Sequence, residues 1–527
     1  MKTLAILTNG GDTCALNASI KSIRDNAYQV GYKKIYGVLR GYQGLLDGSM
    51  IDLTNREIDV KIGGSCLGSM RMSPMKKYEI KTDSSTEIRY EVDEESCIKM
   101  ARTLAEYQID VLVVIGGDGT LQATRNFQEW IQANKRIRKL REFQLLGFLK
   151  TIDNDIRTFT NFEGIEVSLC PGFPSAVQKI VSTIEGLRVT ARTAERAFCV
   201  EAMGRDAGWL AAAGSFGGAE IILIPEIYKM LKRNYIDKSD KELDEEVWSR
   251  IANLIISFYR HNRNVIVSVG EGFEPRERYT GVKDYVDKIK NLFGTRKKVG
   301  ATEIVTMTLL PVLVTYFKIL SGLCQPKRKK IEIKNLVNNL YEGFKTDANG
   351  DYKKDVIGDD ISWHPLKNWN IGEKMIRDLG LDADKNGVQN NVAMSDPEEW
   401  ESYNIIKPPF FFEIRPHRTD YVPRSGAPSS YDYRLATVLG IKVGELLLKR
   451  QFGVVPCLKD VVAYDKLNIN CVREVSITEI RTLYFDSEDY FNVNNLQVTP
   501  KITDFFRTIM TGPEDLDEAI ADMNRLY

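Results

Sequence analysis

Residues 109–120 read IDVLVVIGGDGT, an apolar run rich in β-branched side chains that leads directly into a glycine turn. The run predicts a buried strand of a parallel sheet, so the turn falls at the carboxyl end of that strand, where open α/β sheets bind ligands. Glycines let backbone N–H groups approach phosphate oxygens without a Cβ in the way, and Asp118 is predicted to hold Mg2+ against those oxygens. By itself, the pattern is also typical of an ordinary tight turn.

A second polar segment begins at Lys150, where residues 150–155 read KTIDND directly after a strand-like run over residues 145–149. Asp153 and Asp155 can have different roles, because one carboxylate can take a proton from an attacking hydroxyl while the other helps to bind a metal. Phosphoryl transfer needs mainly positioning and charge neutralisation from a protein. A surface turn rich in Asp and Asn is the alternative for this segment alone. Together, the two segments predict phosphoryl transfer to a sugar.

A third phosphate-binding candidate opens the chain. Residues 4–8 read LAILT and predict a first strand, which runs into NGGDT at residues 9–13, with a helix expected from about Ala15. The amino end of that helix would add its dipole and free amides to the glycine turn. The turn matches neither a Walker loop nor Gly-x-Gly-x-x-Gly, so the nucleotide fold is expected to be a different one.

Composition bounds the class of protein. The chain has 527 residues, which predicts two or three domains, and 72 basic residues balance 72 acidic ones, so no basic field favours nucleic acid. Eight cysteines without Cys-x-x-Cys pairs predict reduced, cytoplasmic thiols, with neither zinc nor disulfides. No signal peptide is expected, since the chain begins almost directly in a strand. The most apolar stretch, residues 304–317, is too short to span a bilayer and predicts a buried helix.

The chain alternates strand and helix patterns through its first 270 residues, which predicts βαβ units around a parallel sheet. Residues 265–269 predict a further core strand, and residues 275–410 predict an insertion that is helical and charged in its first half. A basic run at residues 325–330 is interpreted as a solvated loop or helix start. Residues 382–387 imitate the start of a calcium loop, but Ala393 stands at its twelfth position, which favours an Asp-rich turn.

The sequence resembles the phosphofructokinases through most of residues 1–275 and again through 410–465. The specificity lies in the joint order of the motifs, since no single one is decisive. In chain order they are TNGGD (8–12) with LNA (16–18), GYQGL (41–45), GG (63–64) with LGSMR (67–71), the two segments quoted above, MGR (203–205), GEG (270–272) and PRSG (423–426) with YD (431–432).

The resemblance implies an α/β protein with two Rossmann-like three-layer domains of the phosphofructokinase fold and a largely helical insertion in the second half. It places the phosphate-donor domain, for ATP and Mg2+, at residues 1–164 plus about 423–475. It places the fructose 6-phosphate domain at residues 165–274 plus about 411–422 and 476–527. Residues 275–410 form an insertion that is atypical of the family.

The resemblance also implies the reaction, in which the γ-phosphoryl group of ATP passes to the 1-hydroxyl of fructose 6-phosphate to give fructose 1,6-bisphosphate. Asp153 would be the general base on that hydroxyl, Thr151 would lie beside the moving phosphoryl group, and Arg205 would neutralise its growing charge. Asp118 and Asp155 would serve Mg2+. The residues implied to line the donor are Gly10, Gly11, Arg71, Gly119, Thr120 and Lys150.

For the sugar, the resemblance implies Met203, Gly204 and Glu271. The sugar's 6-phosphate would be held by Arg196 and Arg415 from a neighbouring subunit, together with Tyr421 and Arg424 from the same subunit. A single chain would then carry an incomplete active site, so a symmetric dimer or tetramer is expected.

Two positions give conflicting predictions about the phosphoryl donor. In the family, ATP users have glycine where this chain has Gly119, whereas pyrophosphate users have aspartate, which would collide with the α-phosphate. Pyrophosphate users carry lysine where this chain has Lys150. Steric exclusion is harder to overcome than an extra cation, so ATP is favoured and pyrophosphate remains the alternative. Two smaller departures from the ATP-using bacterial pattern are Ala15, where many relatives have glycine, and Tyr421, where they have histidine.

Two other classes of protein share part of this pattern. A non-catalytic regulatory subunit would be expected to have lost the base or the metal acid, yet Asp118, Asp153 and Arg205 are all present. A lipid or NAD kinase also uses Gly-Gly-Asp-Gly-Thr but lacks the segments found here at residues 151–155 and 203–205. The site residues therefore favour an active phosphofructokinase.

Overall fold

The computed structural model describes residues 2–70, 75–81, 86–138, 140–274, 300–302, 304–306, 309, 313, 383–384, 387–388 and 413–526. The chain divides into two compact units. The first comprises Met1–Ile180, Tyr421–Tyr484 and Pro500–Tyr527, and the second comprises Val181–Asp420 and Phe485–Thr499. Within the described ranges, no helix has both the length and the apolar character needed to cross a membrane.

The strands described outside residues 275–410 are β1 (Thr3–Thr8), β2 (Lys34–Val38), β3 (Met50–Asp52), β4 (Met75–Lys81), β5 (Thr86–Val92), β6 (Val111–Gly116), β7 (Gln144–Leu149), β8 (Thr160–Phe162), β9 (Ile165–Val167), β10 (Ala197–Ala202), β11 (Ile221–Leu223), β12 (Val265–Gly270), β13 (Ile414–Arg418), β14 (Val454–Leu458), β15 (Val472–Ser476), β16 (Phe491–Asn492) and β17 (Gln497–Val498).

The α-helices described outside the same range are α1 (Leu16–Gln29), α2 (Tyr42–Asp47), α3 (Glu94–Glu106), α4 (Asp118–Arg138), α5 (Phe173–Thr193), α6 (Trp209–Ala213), α7 (Ile227–Asn234), α8 (Asp240–Asn262), α9 (Ser430–Lys449), α10 (Pro500–Ile509) and α11 (Leu516–Leu526). The start of α8 has a clear sequence cause, because Ser239 and Glu242 form a capping box.

The first unit contains a five-stranded sheet in the order β3-β2-β1-β6-β7, in which only β3 runs antiparallel to its neighbour. Strands β1 and β6 are buried along their whole length, as their continuous apolar sequences predict. In the register of the sheet, Thr8 lies opposite Ile115, and Ile115 lies opposite Phe148. The three predicted phosphate-site segments therefore begin at one edge of the sheet, formed by the carboxyl ends of β1, β6 and β7.

The second unit contains a four-stranded sheet in the order β11-β12-β10-β13, with every neighbouring pair parallel. Strands β10 and β12 are buried throughout, so the core strand predicted at residues 265–269 is confirmed as β12. Each unit is thus an α/β unit built on a mostly parallel sheet, in agreement with the predicted fold class.

The division into units differs from the predicted domain boundaries, chiefly in the C-terminal region. Residues 165–180, 421–422, 476–484 and 500–527 group with the first unit rather than with a sugar domain. The physical reason at the C-terminus is aromatic packing, because Phe505 of α10 stacks near Phe162 and Phe173, with ring centroids 5.7 and 6.4 Å apart. Residues 485–499 instead join the second unit, where Phe485 packs on Trp209 with centroids 4.7 Å apart.

Most predictions for residues 275–410 lie outside the described residues, including the basic run at 325–330 and most of the apolar stretch at 304–317. Ala383–Asp384 and Gly387–Val388 are described, and these two short segments pair antiparallel.

Candidate active site

Two buried cationic side chains contact the turn after β1. Lys150 Nζ donates a hydrogen bond to the carbonyl of Gly11, and Arg424 Nη1 donates to the carbonyl of Asp12 at 2.8 Å. Lys150 is 5% exposed and Arg424 is 7% exposed. Gly10 adopts a φ of +89°, which favours glycine, and a Cβ there would lie 3.4 Å from Lys150 Nζ. Two positive charges withdrawn from water beside a glycine turn suit a polyanion.

The turn after β6 adds a helix amino terminus to the same edge of the sheet. Helix α4 begins at Asp118, and the Thr120 hydroxyl of its first turn accepts a hydrogen bond from Asn9 Nδ2 at 3.3 Å. A Cβ built on Gly119 would meet no atom of the described residues within 4 Å. The helix terminus favours an anion, and the exposed face at Gly119 leaves room for one.

The turn after β7 holds the predicted catalytic acids. The Thr151 hydroxyl accepts a hydrogen bond from the backbone N–H of Asp153 at 3.0 Å and donates one to Asp155 Oδ1 at 3.4 Å. Asp153 is 5% exposed. Asn154 adopts a φ of +55°, a conformation that Asn tolerates better than most residues, and donates to the carbonyl of Ser168 at 2.8 Å. This role of Asn154 was not predicted, and its only sequence signal is the residue type, since Asn tolerates a left-handed turn better than most residues.

The acids on these two turns fit a magnesium ion. Burial raises the pKa of Asp118, and the negative charge of Asp155 raises it further, while hydrogen bonding from Gln122 opposes both effects. Among the described residues, no group of three or more His, Cys, Asp or Glu side chains is arranged to hold a metal ion. Mg2+ does not need one, because it usually binds through one or two carboxylates, substrate phosphates and water. Asp118 and Asp155 meet that requirement.

In the second unit, the turn after β10 is organised by Glu271, which follows β12. Glu271 Oε1 accepts hydrogen bonds from the backbone N–H groups of Gly204 and Arg205, at 3.3 and 2.7 Å. Both residues have positive φ, +140° and +53°, so this carboxylate stabilises a turn with left-handed geometry. The sequence analysis predicted Glu271 as a sugar ligand, and the structure adds this turn-forming role. Met203 is half-buried at the start of the same turn.

The two arginines predicted to hold the sugar phosphate are brought together by Glu413. Arg196 Nε lies 2.7 Å from Glu413 Oε2, and Arg415 Nε lies 2.6 Å from Glu413 Oε1. Arg196 and Glu413 directly precede β10 and β13, which pair with Ala197 opposite Ile414. One carboxylate therefore holds both guanidinium groups side by side, an arrangement that depends on the register of the sheet.

This arginine pair lies at the amino ends of the strands, whereas the turn at Met203–Arg205 lies at the carboxyl end of β10. Strand β10 has 6 residues, and a strand rises about 3.3 Å per residue, so roughly 20 Å separates the two groups along the strand. Within the second unit, the predicted sugar-binding residues therefore form two groups rather than one.

The predicted site residues are divided between the two units, and Tyr421 and Arg71 remain to be placed. Tyr421 is 73% exposed, and its carbonyl accepts from the Arg424 backbone N–H at 3.0 Å. Arg71 lies outside the described residues. The site residues in the first unit are Gly10, Gly11, Asp118, Gly119, Thr120, Lys150, Thr151, Asp153, Asp155, Tyr421 and Arg424, and those in the second are Arg196, Met203, Gly204, Arg205, Glu271 and Arg415.

A buried carboxylate that the sequence analysis missed lies near the Met203–Arg205 turn. Glu226 is 4% exposed, and its Oε1 accepts from the backbone N–H groups of Gly208 and Phe485, at 3.1 and 2.9 Å. Its Oε2 is buried and has no hydrogen-bond partner among the described residues. Burial raises the pKa of Glu226 to about 7.

This pKa predicts a pH-dependent stability. Glu226 binds its proton more tightly in the folded chain, so its contribution is present below its ordinary pKa of 4.5 and is lost as the pH rises through about 7. From pH 4.5 to 8, the free energy of unfolding of the wild type, measured by urea titration against Glu226→Gln, is expected to fall by about 2 to 3 kcal/mol. The exposed variant Glu488→Gln, on the segment that contacts Glu226, should show no such trend. A pH-independent difference for Glu226→Gln would contradict the account.

Comparison with known proteins shows which protein family this chain resembles. A family model described as phosphofructokinase matches residues 3–309. An ATP-dependent 6-phosphofructokinase of Thermoanaerobacter sp. (strain X514) is 34% identical over 230 residues, covering 43% of this chain and 61% of that enzyme. A pyrophosphate--fructose 6-phosphate 1-phosphotransferase of Dictyoglomus thermophilum is 31% identical over 274 residues, covering 51% of this chain and 64% of that enzyme. The chain thus spans less than two thirds of the length of these relatives.

A solved structure supports the same fold. The pyrophosphate-dependent phosphofructokinase from Marinobacter aquaeolei superimposes with a TM-score of 0.55 at 15% identity, covering 98% of this chain and 94% of that one. At this identity the likeness concerns the fold alone. The family match covers well over half of the chain and includes the turns after β1, β6, β7, β10 and β12. The chain therefore belongs to the phosphofructokinase family.

Proposed function

We propose that the chain is a 6-phosphofructokinase that transfers the γ-phosphoryl group of ATP to the 1-hydroxyl of fructose 6-phosphate, a reaction of glycolysis. The observation that carries this proposal is the edge of the first sheet, where a buried carboxylate at Asp153 lies in the turn next to two buried cations. Lys150 and Arg424 supply those cations, and both donate to the turn after β1. A base and a polyanion cradle at one edge of the same sheet are what phosphoryl transfer to an alcohol requires.

In this mechanism Asp153 accepts the proton of the sugar 1-hydroxyl. The Thr151 hydroxyl fixes the backbone of Asp153, which keeps the carboxylate within reach of its target. Lys150 and the amino end of α4 hold the donor phosphates, Arg424 contacts the 6-phosphate of the sugar, and Arg205 neutralises charge on the moving phosphoryl group. Mg2+, held by Asp118 and Asp155, would supply further neutralisation of the donor oxygens.

ATP is favoured as the donor because of Gly119. Beyond its own helix and chain neighbours, a Cβ at this position would meet no atom of the described residues within 4 Å, and the residue is exposed at the start of α4. Such room suits an α-phosphate with its nucleoside. The relative from Thermoanaerobacter is named as ATP-dependent, which supports the same choice.

Pyrophosphate is the second candidate donor, and Lys150 is the observation that favours it. Its ammonium group is buried against the glycine turn, where it is well placed to neutralise a small donor of high charge density. The relative from Dictyoglomus is named as a pyrophosphate enzyme. A lysine is nevertheless compatible with ATP. At position 119 this chain has glycine instead of the aspartate that would collide with the α-phosphate of ATP.

The sugar phosphate is proposed to be shared between two subunits. Within one second unit, the backbones of Arg196 and Met203 lie roughly 20 Å apart along β10, a long span for one small sugar phosphate to bridge. A neighbouring subunit supplying the arginine pair removes this difficulty, and closed symmetry would complete every site.

Hybrid oligomers test this sharing. Chains carrying Asp153→Asn are co-expressed with chains carrying Arg196→Ala and Arg415→Ala, and heteromers are isolated with two different affinity tags. If subunits share sites, a heterodimer keeps one intact site of two and is expected to recover up to about half of the wild-type activity. If the heteromers were no more active than the two variants measured separately, each chain would have to use its own arginines.

The proposed activity itself is tested with the purified chain, Mg2+, ATP and fructose 6-phosphate labelled with 13C at position 1. The expected product shows a new phosphorus–carbon coupling at that carbon in the NMR spectrum. ATP consumption without this coupling would contradict the proposed acceptor hydroxyl.

A further inference from the structure

Asp432 is a buried carboxylate in the first turn of α9 that contacts the beginning of another helix. It is 0% exposed. Its Oδ1 and Oδ2 accept from the backbone N–H of Gly172 at 2.9 and 3.0 Å. Its Oδ2 also accepts from the backbone N–H and the hydroxyl of Ser175, at 3.3 and 2.5 Å. These groups belong to the amino end of α5, so Asp432 caps that helix from outside and complements its dipole.

The contact between the two helices is reciprocal. The Ser175 hydroxyl oxygen accepts a hydrogen bond from the backbone N–H of Ser429 at 2.9 Å. Ser429 is in turn the cap of α9, since its hydroxyl accepts from the backbone N–H of Asp432 at 3.2 Å. Each helix start therefore accepts a hydrogen bond from the other, which fixes their relative position more firmly than one hydrogen bond would.

This pair of helix starts is directly joined to the turn that bears Asp153. The backbone N–H of Thr151 donates to the carbonyl of Pro171 at 3.2 Å, and Thr151 forms a β-bridge with Gly172. From Thr151 the hydroxyl contacts Asp153 and Asp155. A path of hydrogen bonds, joined by the peptide bond between Pro171 and Gly172 and by Thr151 itself, thus runs from Asp432 to both acids.

We propose that Asp432 is a positioning residue for phosphoryl transfer, holding Thr151 and Asp153 in place through Pro171 and Gly172. It is not a catalytic residue, because it is fully buried. The expected effect of Asp432 on turnover rests on the proposed function. Its expected effect on the structure of the turn at residues 151–155 does not.

The test compares Asp432→Asn and Ser175→Ala with the control Ser22→Ala. The asparagine keeps one acceptor oxygen but turns an N–H group towards a donor that needs an acceptor, so the cap on α5 is weakened. Ser175→Ala removes one contact to Asp432 and the contact to Ser429, and it keeps the test valid should the first variant fail to fold. Ser22 also joins α9 to another helix, since its hydroxyl donates to the carbonyl of Thr437 at 2.8 Å, but it has no link to Thr151.

For Asp432→Asn, kcat is expected to fall about 10- to 100-fold, because small displacements of catalytic groups are costly, while KM for both substrates changes little. Ser175→Ala should show the same pattern with a smaller loss, and Ser22→Ala should lower stability without lowering kcat.

Amide hydrogen exchange provides a readout that does not depend on activity. The amides of Thr151 and Asp153 should exchange faster in Asp432→Asn and Ser175→Ala than in Ser22→Ala. A wild type without turnover would overturn the proposed function but leave this measurement intact. Unchanged exchange at residues 151–155 in both variants, or equal kcat losses in all three, would overturn the positioning role.

Discussion

Asp153→Asn is expected to lower kcat by about 10²- to 10⁴-fold, the usual contribution of a general base. The asparagine has nearly the same shape, so the hydrogen bond from its backbone N–H to the Thr151 hydroxyl is retained. What is lost is the ability to accept the proton of the sugar hydroxyl. KM for fructose 6-phosphate should change little, since the base acts mainly in the transition state. Steady-state kinetics with both substrates varied measures this separation.

The matched control is Asp460→Asn, on the same unit. Asp460 accepts a hydrogen bond from Asn161 Nδ2 at 2.9 Å, and this contact is exposed. Its replacement should leave kcat unchanged. If Asp153→Asn retained a kcat close to that of this control, the base would have to be another residue.

Gly119→Asp is expected to lower kcat/KM for ATP by about 5- to 1,000-fold, because two like charges about 4 Å apart repel by about 1 to 4 kcal/mol. The fold should tolerate the change, since a Cβ at this position meets no described atom within 4 Å. An acid in the first turn of α4 also complements the helix dipole, so stability should not fall. The loss with pyrophosphate should be far smaller, because no α-phosphate with a nucleoside needs the space.

Gly119→Ala separates the effect of volume from that of charge. Its methyl group occupies part of the same space without adding charge, so its loss with ATP should be much smaller than that of the aspartate. Equal kcat/KM values for ATP in the wild type and Gly119→Asp would show that the donor does not pass this residue. Thermal unfolding of both variants checks that the fold is preserved.

The strands and their turns were predictable from the sequence because their signals are local. The continuous apolar runs at residues 4–8, 109–115 and 265–269 correspond to β1, β6 and β12. Each glycine turn or acid-rich segment follows such a run directly, so within each sheet the parallel pairing of the strands alone brings its turns to one edge.

The contacts that hold the site together were not predictable in the same way. Glu413 pairs with both Arg196 and Arg415 only because β10 and β13 adopt one particular register. In the sequence, Glu226 looks like an ordinary acidic residue after a proline. Its burial depends on a contact with Phe485, which is 259 residues later in the chain and donates its backbone N–H to Glu226. Local patterns carry no information about either event.

The C-terminal region shows the same limit. Residues 476–527 were predicted to join one domain, yet residues 485–499 and 500–527 belong to different units. Phe485 packs against Trp209, whereas Phe505 packs near Phe162. Both phenylalanines are equally apolar, so sequence alone cannot assign them to different cores.

The most direct test of the central claim is the rate of fructose 1,6-bisphosphate formation by one preparation of the full chain, with Mg2+ and either ATP or pyrophosphate as donor. The account predicts that kcat/KM for ATP exceeds that for pyrophosphate, as the open space at Gly119 requires. Turnover with pyrophosphate alone would show that Lys150 governs the donor and would contradict the assignment of ATP. Absence of product with both donors would contradict the proposed function as a whole.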